Sequence, residues 1–136
     1  MQDNQSLSKR GAVRALHYQV GVYAQAKLVR VLQGKVLDVA VDIRKDSATF
    51  GEHVVLELSA ENKKQLWIPE GFAHGFFVLS SQAEVVYKAS SYYKKESERS
   101  IKWNDKNLRI NWGIKKPIIS KRDSNASTLK EYIKNN

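Results

Sequence analysis

From Lys27 to Ser90 apolar residues recur at every second position in short runs, and nothing in that stretch carries the 3.6-residue period of a helix. Leu28, Arg30 and Leu32 alternate with Lys27, Val29 and Val31, and then Leu37, Val39, Val41 and Ile43 alternate with Val36, Asp38, Ala40 and Asp42. Between these two runs Gln33-Gly34 reads as a tight hairpin. Further β-type runs follow at His53–Leu58, Gln65–Ile68, Ala73–Leu79 and Glu84–Ser90, separated by turn signals such as Ser59-Ala60-Glu61-Asn62 and Pro69-Glu70-Gly71. Six or seven short strands at this spacing predict an all-β fold, an antiparallel sandwich or barrel with the jelly roll among its forms. Only the tail has a helical pattern: Ser127 or Ser124 is placed to cap a segment through Thr128, Leu129, Glu131, Tyr132 and Ile133 that docks on the sheet. The last Lys- and Asn-rich residues are expected to fray.

A chain of this mass buries about two-thirds of its surface, roughly 7,200 Å² remaining of about 22,500 Å². One domain over residues 1–136 is therefore expected, with 124–136 a helical or partly ordered tail. There is no cysteine, which excludes disulfides, thiolate zinc sites, cysteine nucleophiles and iron–sulfur clusters together. The start, Met1-Gln2-Asp3-Asn4-Gln5-Ser6, is polar, and no apolar run has the length of a signal-peptide core or a membrane span, so a cytoplasmic location is the expectation.

The net charge is +9, and it is unevenly placed: residues 71–136 hold thirteen basic against six acidic side chains, residues 1–70 ten against eight. Such a field attracts nucleic acid, an anionic membrane or a phosphorylated small molecule, or simply keeps the protein soluble. No basic cluster is interleaved with aromatics at regular spacing, so nucleic acid ranks last.

The three histidines, His17, His53 and His74, lie in separate segments. A metal-binding β-barrel supplies a close histidine pair two residues apart on a strand, and Leu16-His17-Tyr18-Gln19 has a single imidazole, so no metal is expected. The remaining groups suit proton transfer beside a carbonyl: an imidazole accepts the proton, an ammonium stabilises the enolate oxygen, and a phenol returns a proton. His17, Lys27, His74 and Tyr87 are candidates by residue type. Each also has an ordinary reading: His17 as a hydrogen-bonded core residue, Lys27 as a snorkelling edge residue, Tyr87 as a half-buried strand aromatic. Asp38 and Asp42, on an otherwise apolar strand, need partners if buried. Trp67, Trp103 and Trp112 read as core side chains before they read as base-stacking platforms.

Five segments make a more specific statement. Val13-Arg14-Ala15-Leu16-His17-Tyr18-Gln19, Gln25-Ala26-Lys27-Leu28-Val29-Arg30-Val31, Asp38-Val39-Ala40-Val41-Asp42-Ile43-Arg44, Trp67-Ile68-Pro69-Glu70-Gly71-Phe72-Ala73-His74-Gly75-Phe76 and Ile101-Lys102-Trp103-Asn104-Asp105 closely resemble the dTDP-4-dehydrorhamnose 3,5-epimerases, over about Gln2 to Asp123. The resemblance implies a cupin-type jelly roll that forms a homodimer. It also implies cofactor-free inversion of C3 and C5 of dTDP-4-dehydro-6-deoxy-D-glucose, both α to the C4 ketone, in dTDP-rhamnose biosynthesis, with a dTDP-sugar as partner rather than nucleic acid or membrane.

By the same resemblance His17 is the proton acceptor, oriented by Asp123, with Lys27 stabilising the enolate oxygen and Tyr87 donating a proton from the opposite face. Gln2, Asp3, Asn4, Arg14, His74, Glu98 and Arg122 match substrate-binding positions, Arg14 as a partner for the diphosphate. Strict alternation puts Arg14 and His17 on opposite faces, so a bulge or extended turn between them is required if both line one pocket. Ala15 replaces the family's usual Gly and Arg122 its usual Lys, and the chain begins at Gln2-Asp3-Asn4, where the family has several dozen preceding residues that supply strands and substrate contacts. The alternatives are a silent nucleotide-sugar-binding module and a C3 mono-epimerase.

Overall fold

A computed structural model describes residues 1–114 and 116–135. The strands are β1 (Gln2–Lys9), β2 (Ala12–Gln19), β3 (Lys27–Gln33), β4 (Lys35–Asp42), β5 (His53–Ser59), β6 (Gln65–Ile68), β7 (Phe72–Val78), β8 (Gln82–Ala89), β9 (Glu98–Ser100) and β10 (Ile118–Ile119), followed by helices α1 (Lys121–Ser124) and α2 (Leu129–Asn135). A four-stranded sheet runs β1-β8-β3-β6; a six-stranded sheet runs β10-β2-β7-β4-β5, with β9 also paired to β2. This is the expected all-β jelly-roll architecture, and the period-two runs fall on its strands.

Between the sheets pack Val29, Val31 and Val85 from one and Val36, Ala40, Leu58, Phe76 and Val78 from the other. A second layer lies behind the six-stranded sheet, where Val13, Val39, Val41 and Ile43 meet Ile101, Leu108, Trp112 and Leu129. Strand β4 is thus covered on both faces, which explains its nearly unbroken apolar sequence. Alternation along β4 places Asp38 on the same side as Val36 and Ala40, facing the interior between the sheets.

The structure corrects several expectations. Gln33-Gly34 does not close a hairpin, because β3 pairs with β6 and β8 while β4 pairs with β5 and β7; the chain changes sheet there. Gly34 has φ +82°, and a Cβ on it would lie 2.2 Å from the Gln82 carbonyl oxygen, so the crossing requires glycine. Gln2–Lys9, too polar to read as a strand, is the edge strand β1: the backbone ladder with β8 forms whatever the side chains are. Helix α2 is capped by Thr128 rather than Ser124 or Ser127, the Thr128 hydroxyl accepting from the Glu131 N–H at 3.1 Å while Glu131 reaches back to Thr128. The helix docks as expected, Tyr132 donating to the Ile43 carbonyl at 2.5 Å. Asn136, the end of the expected tail, lies outside the described residues. Trp112 is core, with Trp103 packed against it, but Trp67 is 61% exposed. Among the described residues no helix is long and apolar enough to cross a membrane.

Candidate active site

The bulge required between Arg14 and His17 is present. Arg14 pairs with Phe76 and His17 with His74, so two residues of β2 stand opposite the single Gly75 of β7. Phe76 and His74 are two apart and share a face, and their partners Arg14 and His17 therefore do too. Gly75 makes the bulge possible, since a Cβ there would sit 2.4 Å from the Ala15 Cβ and 2.7 Å from the Arg14 carbonyl oxygen. Leu16 leaves β7 and bonds Ile101 instead, N–H to carbonyl in both directions at 2.9–3.0 Å. Ala15 is fully buried and is not among the residues with positive φ, so its backbone does not call for glycine.

A cavity of about 260 Å³ opens between the sheets, lined by Arg14, His17 and His74 from one side and Asn4, Lys27 and Tyr87 from the other. A smaller one continues from it past His17, Lys27 and Tyr87 to Tyr93 and Glu98. The four groups suited to proton transfer by type thus converge, and they do so from facing sheets.

His17 Nε2 lies 2.7 Å from Asp123 Oδ1. Asp123 comes from the one-turn helix α1, where Ser120 accepts its N–H at 3.0 Å, and it is almost fully buried. The sequence reading found no helix at that point; the signal was Ser120 three residues before Asp123. His74 forms a second such pair, its Nε2 2.7 Å from Asp38 Oδ1. Asp38 is completely buried and its Oδ2 accepts no hydrogen bond among the described residues. A carboxylate on an apolar strand announced this partner-seeking group, though nothing in the sequence placed Asp38 beside the cavity. Asp42 finds its partners elsewhere: Arg44, Ser47 and Thr49 surround it and hold its carboxyl well below the usual range.

Lys27 is not at an edge. It lies in β3 between β6 and β8, buried, with Nζ 5.2 Å from the centre of the Tyr87 ring. Burial pushes its ammonium down to about 8, against which the Asp38 charge acts. Burial likewise pushes the Tyr87 phenol up, with Tyr93 adding to the effect and Arg14 opposing it.

The binding candidates divide. Asn4 faces inward, its Oδ1 accepting from Gln2 Nε2 at 3.0 Å, and its buried Nδ2 finds no partner among the described residues. Gln2 also accepts the Tyr93 N–H at 2.7 Å, so it holds neighbours in place. Asp3 alternates to the outer face and pairs with Lys88 at 3.0 Å. Glu98 lines the smaller cavity and is ion-paired with Arg122, which stands in the adjoining cleft beside Tyr18 and Tyr132. His53 opens β5, away from the site.

Residues 1–131 match the family described as dTDP-4-dehydrorhamnose 3,5-epimerase. The dTDP-4-dehydrorhamnose 3,5-epimerase of Shigella flexneri is 58% identical over 126 residues, 93% of this chain and 70% of that protein. The crystal structure of the enzyme of that name from Elizabethkingia anophelis superposes with a TM-score of 0.94 at 53% identity, over 96% of this chain and 73% of the other. The dTDP-6-deoxy-D-glucose-3,5-epimerase of Legionella pneumophila, solved with dTDP-4-keto-L-rhamnose, gives 0.92 at 51% identity, over 96% and 69%.

Proposed function

We infer the activity from one premise: the chain belongs to the dTDP-4-dehydrorhamnose 3,5-epimerase family. It is an isomerase that inverts C3 and C5 of dTDP-4-dehydro-6-deoxy-D-glucose and yields dTDP-4-dehydro-L-rhamnose. The C4 ketone acidifies the protons on both neighbouring carbons, so one enolising site serves each inversion in turn.

We assign His17 as the base. Its imidazole accepts the C–H proton while Asp123 orients the ring and stabilises the imidazolium. The electron pair moves to the C4 oxygen, where the Lys27 ammonium stabilises the enolate; burial makes that charge more effective than it would be in water. Tyr87 gives its phenolic proton to the other face of the same carbon, and solvent then restores both groups. The observation carrying this reading is that His17 and Tyr87 approach one cavity from opposite sheets. A ring held between the sheets meets base on one side and acid on the other, which inversion demands.

Arg14 is assigned to the diphosphate, and Asn4, through its free Nδ2, with His74 and Glu98 to the sugar and its surroundings. For Gln2 and Arg122 the assignment is to the rim, whereas Asp3, on the outer face with Lys88, is left out of the site. A second copy of the chain is the proposed protein partner: the accessible surface is 8106 Å², above the roughly 7,200 Å² expected for this mass, and Leu7, Leu32 and Trp67 are exposed on the outer face of the four-stranded sheet. We place the reaction in the cytoplasm.

Incubation with dTDP-4-dehydro-6-deoxy-D-glucose in deuterated water, with a coupled reductase trapping product, should exchange the C3 and C5 protons. No exchange from a folded sample that binds dTDP would leave a silent binding module. Exchange at C3 alone would mean a mono-epimerase.

A further inference from the structure

The segment Ile101-Lys102-Trp103-Asn104-Asp105 puts no side chain into either cavity of the site, yet it touches both stretches of chain that bring His17 and Asp123 together. On one side Ile101 exchanges both backbone bonds with Leu16, the neighbour of His17, at 2.9 and 3.0 Å. On the other Ile101 bridges Ser127, and the Lys102 N–H donates to the Ser127 carbonyl at 2.8 Å. The base and the carboxylate that orients it are thus registered on one short piece of backbone.

The chain that carries Asp123 is held at successive points. Upstream, β10 lies beside β2, the Ile118 N–H donating to the Gly11 carbonyl at 2.8 Å. Downstream, the Ala126 N–H donates to the Asp123 carbonyl at 3.2 Å, and after the Ser127 bridge comes the Leu129 N–H, which opens α2 and has no partner inside that helix. Thr128 takes the Glu131 N–H and leaves this one, and Asp105 Oδ2 accepts it at 2.8 Å. Asp105 Oδ1 accepts the Asn107 N–H, also at 2.8 Å, in an Asx turn. Both oxygens of a carboxylate that is 8% exposed therefore rest on backbone N–H groups, one in its own loop and one in the C-terminal segment. A carboxylate makes such a bond about twice as strong as a neutral acceptor does.

We propose that Asp105 is a positioning residue for the base: by tying Leu129 to the 101–107 loop it holds the C-terminal segment against Leu16 and His17 and keeps the Asp123 carboxylate on His17 Nε2. This rests on the epimerase reading above, in which His17 takes the C–H proton. Asp123 meets β2 twice, through Oδ1 at His17 and through Oδ2, at 3.4 Å, at the Ala15 N–H that the bulge leaves off the β7 ladder. Both contacts depend on where the segment lies. His74 and Asp38 differ, since they sit on the directly paired strands β7 and β4 and need no such tie.

The test is Asp105→Asn in the full chain, which keeps the volume and the oxygen for Asn107 but sets an NH₂ group against the Leu129 N–H. Exchange at C3 and C5 and net inversion should fall together, by about tenfold, with KM within about twofold of wild type, because only the setting of the base changes. In magnetic resonance of the chain with isotope-labelled histidine, solvent exchange of the His17 Nε2–H should rise about tenfold, while that of the His74 Nε2–H, held by Asp38, stays as in wild type. A general loosening of the fold would move both. An unchanged His17 signal, movement of both histidines together, or unchanged rates overturns the proposal. If the variant fails to fold, native-state hydrogen exchange of the unaltered chain decides: the Ala126 and Leu129 amides should open in one step with one urea dependence, before β4 and β7 open, and separate openings overturn it. Failure of the epimerase reading is distinct, since it would show as no exchange at either carbon in the wild-type chain while the His17 signal still responds to Asp105→Asn.

Discussion

His17 and His74 stand opposite each other on neighbouring strands, and each imidazole has its own buried carboxylate at 2.7 Å, Asp123 for one and Asp38 for the other. Exposure separates them: the His17 side chain is 30% accessible and that of His74 6%. A base that turns over must return its proton to solvent, which His17 can do directly. His74 is better suited to donate a fixed hydrogen bond.

Removing the base should therefore act on both carbons. His17→Ala is expected to slow exchange at C3 and C5 together by about 10²–10⁴-fold. Asp123→Asn should lower the same rates by a smaller factor, because the ring is misdirected rather than absent. His74→Ala should mainly raise KM, with a smaller change in kcat. Equal exchange in wild type and His17→Ala would refute the assignment.

Tyr87→Phe should divide the reaction. Loss of the phenol leaves proton removal in place, so deuterium washes in at C3 and C5 while inverted product declines, as nuclear magnetic resonance of the recovered sugar nucleotide would record. A variant that loses washout and inversion in proportion would assign Tyr87 to some earlier step.

Lys27 gives a pH dependence with a definite sign. With its ammonium held down to about 8, the cation that stabilises the enolate is present below that pH and lost above it, so kcat should fall through pH 8. Stability should move the other way. The unfolded chain keeps the proton up to the ordinary lysine value of 10.5, so between about 8 and 10.5 it binds more protons than the folded chain, and folding stability from this group rises with pH. The stability difference between wild type and Lys27→Met, from urea titrations at pH 7 and 10, should therefore shift in favour of wild type at the higher pH. No shift would mean that Lys27 titrates normally.

Gly34 and Gly51 share nearly the same backbone, φ +82° and +84°, in different surroundings. Alanine at Gly51 meets nothing within 4 Å and should cost about 1 kcal/mol for the left-handed conformation. Alanine at Gly34 also strikes the Gln82 carbonyl oxygen at 2.2 Å, and about 2 kcal/mol more is expected. Thermal or urea denaturation of both variants measures the difference, and equal losses would contradict the packing at the sheet crossing.

What the sequence determined by itself was local or chemical. The strands β3 to β8 were legible because a side-chain period of two follows from the pleat of each strand alone. The absence of cysteine and the presence of imidazole, ammonium and phenol limited the chemistry before any contact was known. Buried Asp38 was legible as a group needing a partner, though the partner was not.

Tertiary structure decided what depends on residues far apart in the chain. Asp123 reaches His17 across 106 positions, and no local pattern links a one-turn helix to a strand that distant. Arg14 and His17 share a face only because Gly75 leaves room for a bulge and Ile101 takes the backbone bonds of Leu16. Gln33-Gly34 has the residues of a hairpin, yet β3 and β4 part into different sheets, since turn chemistry governs the reversal and long-range pairing governs which strand lies alongside. A period of two states which side chains share a face of a strand; only the packing of one sheet on the other states what that face looks upon.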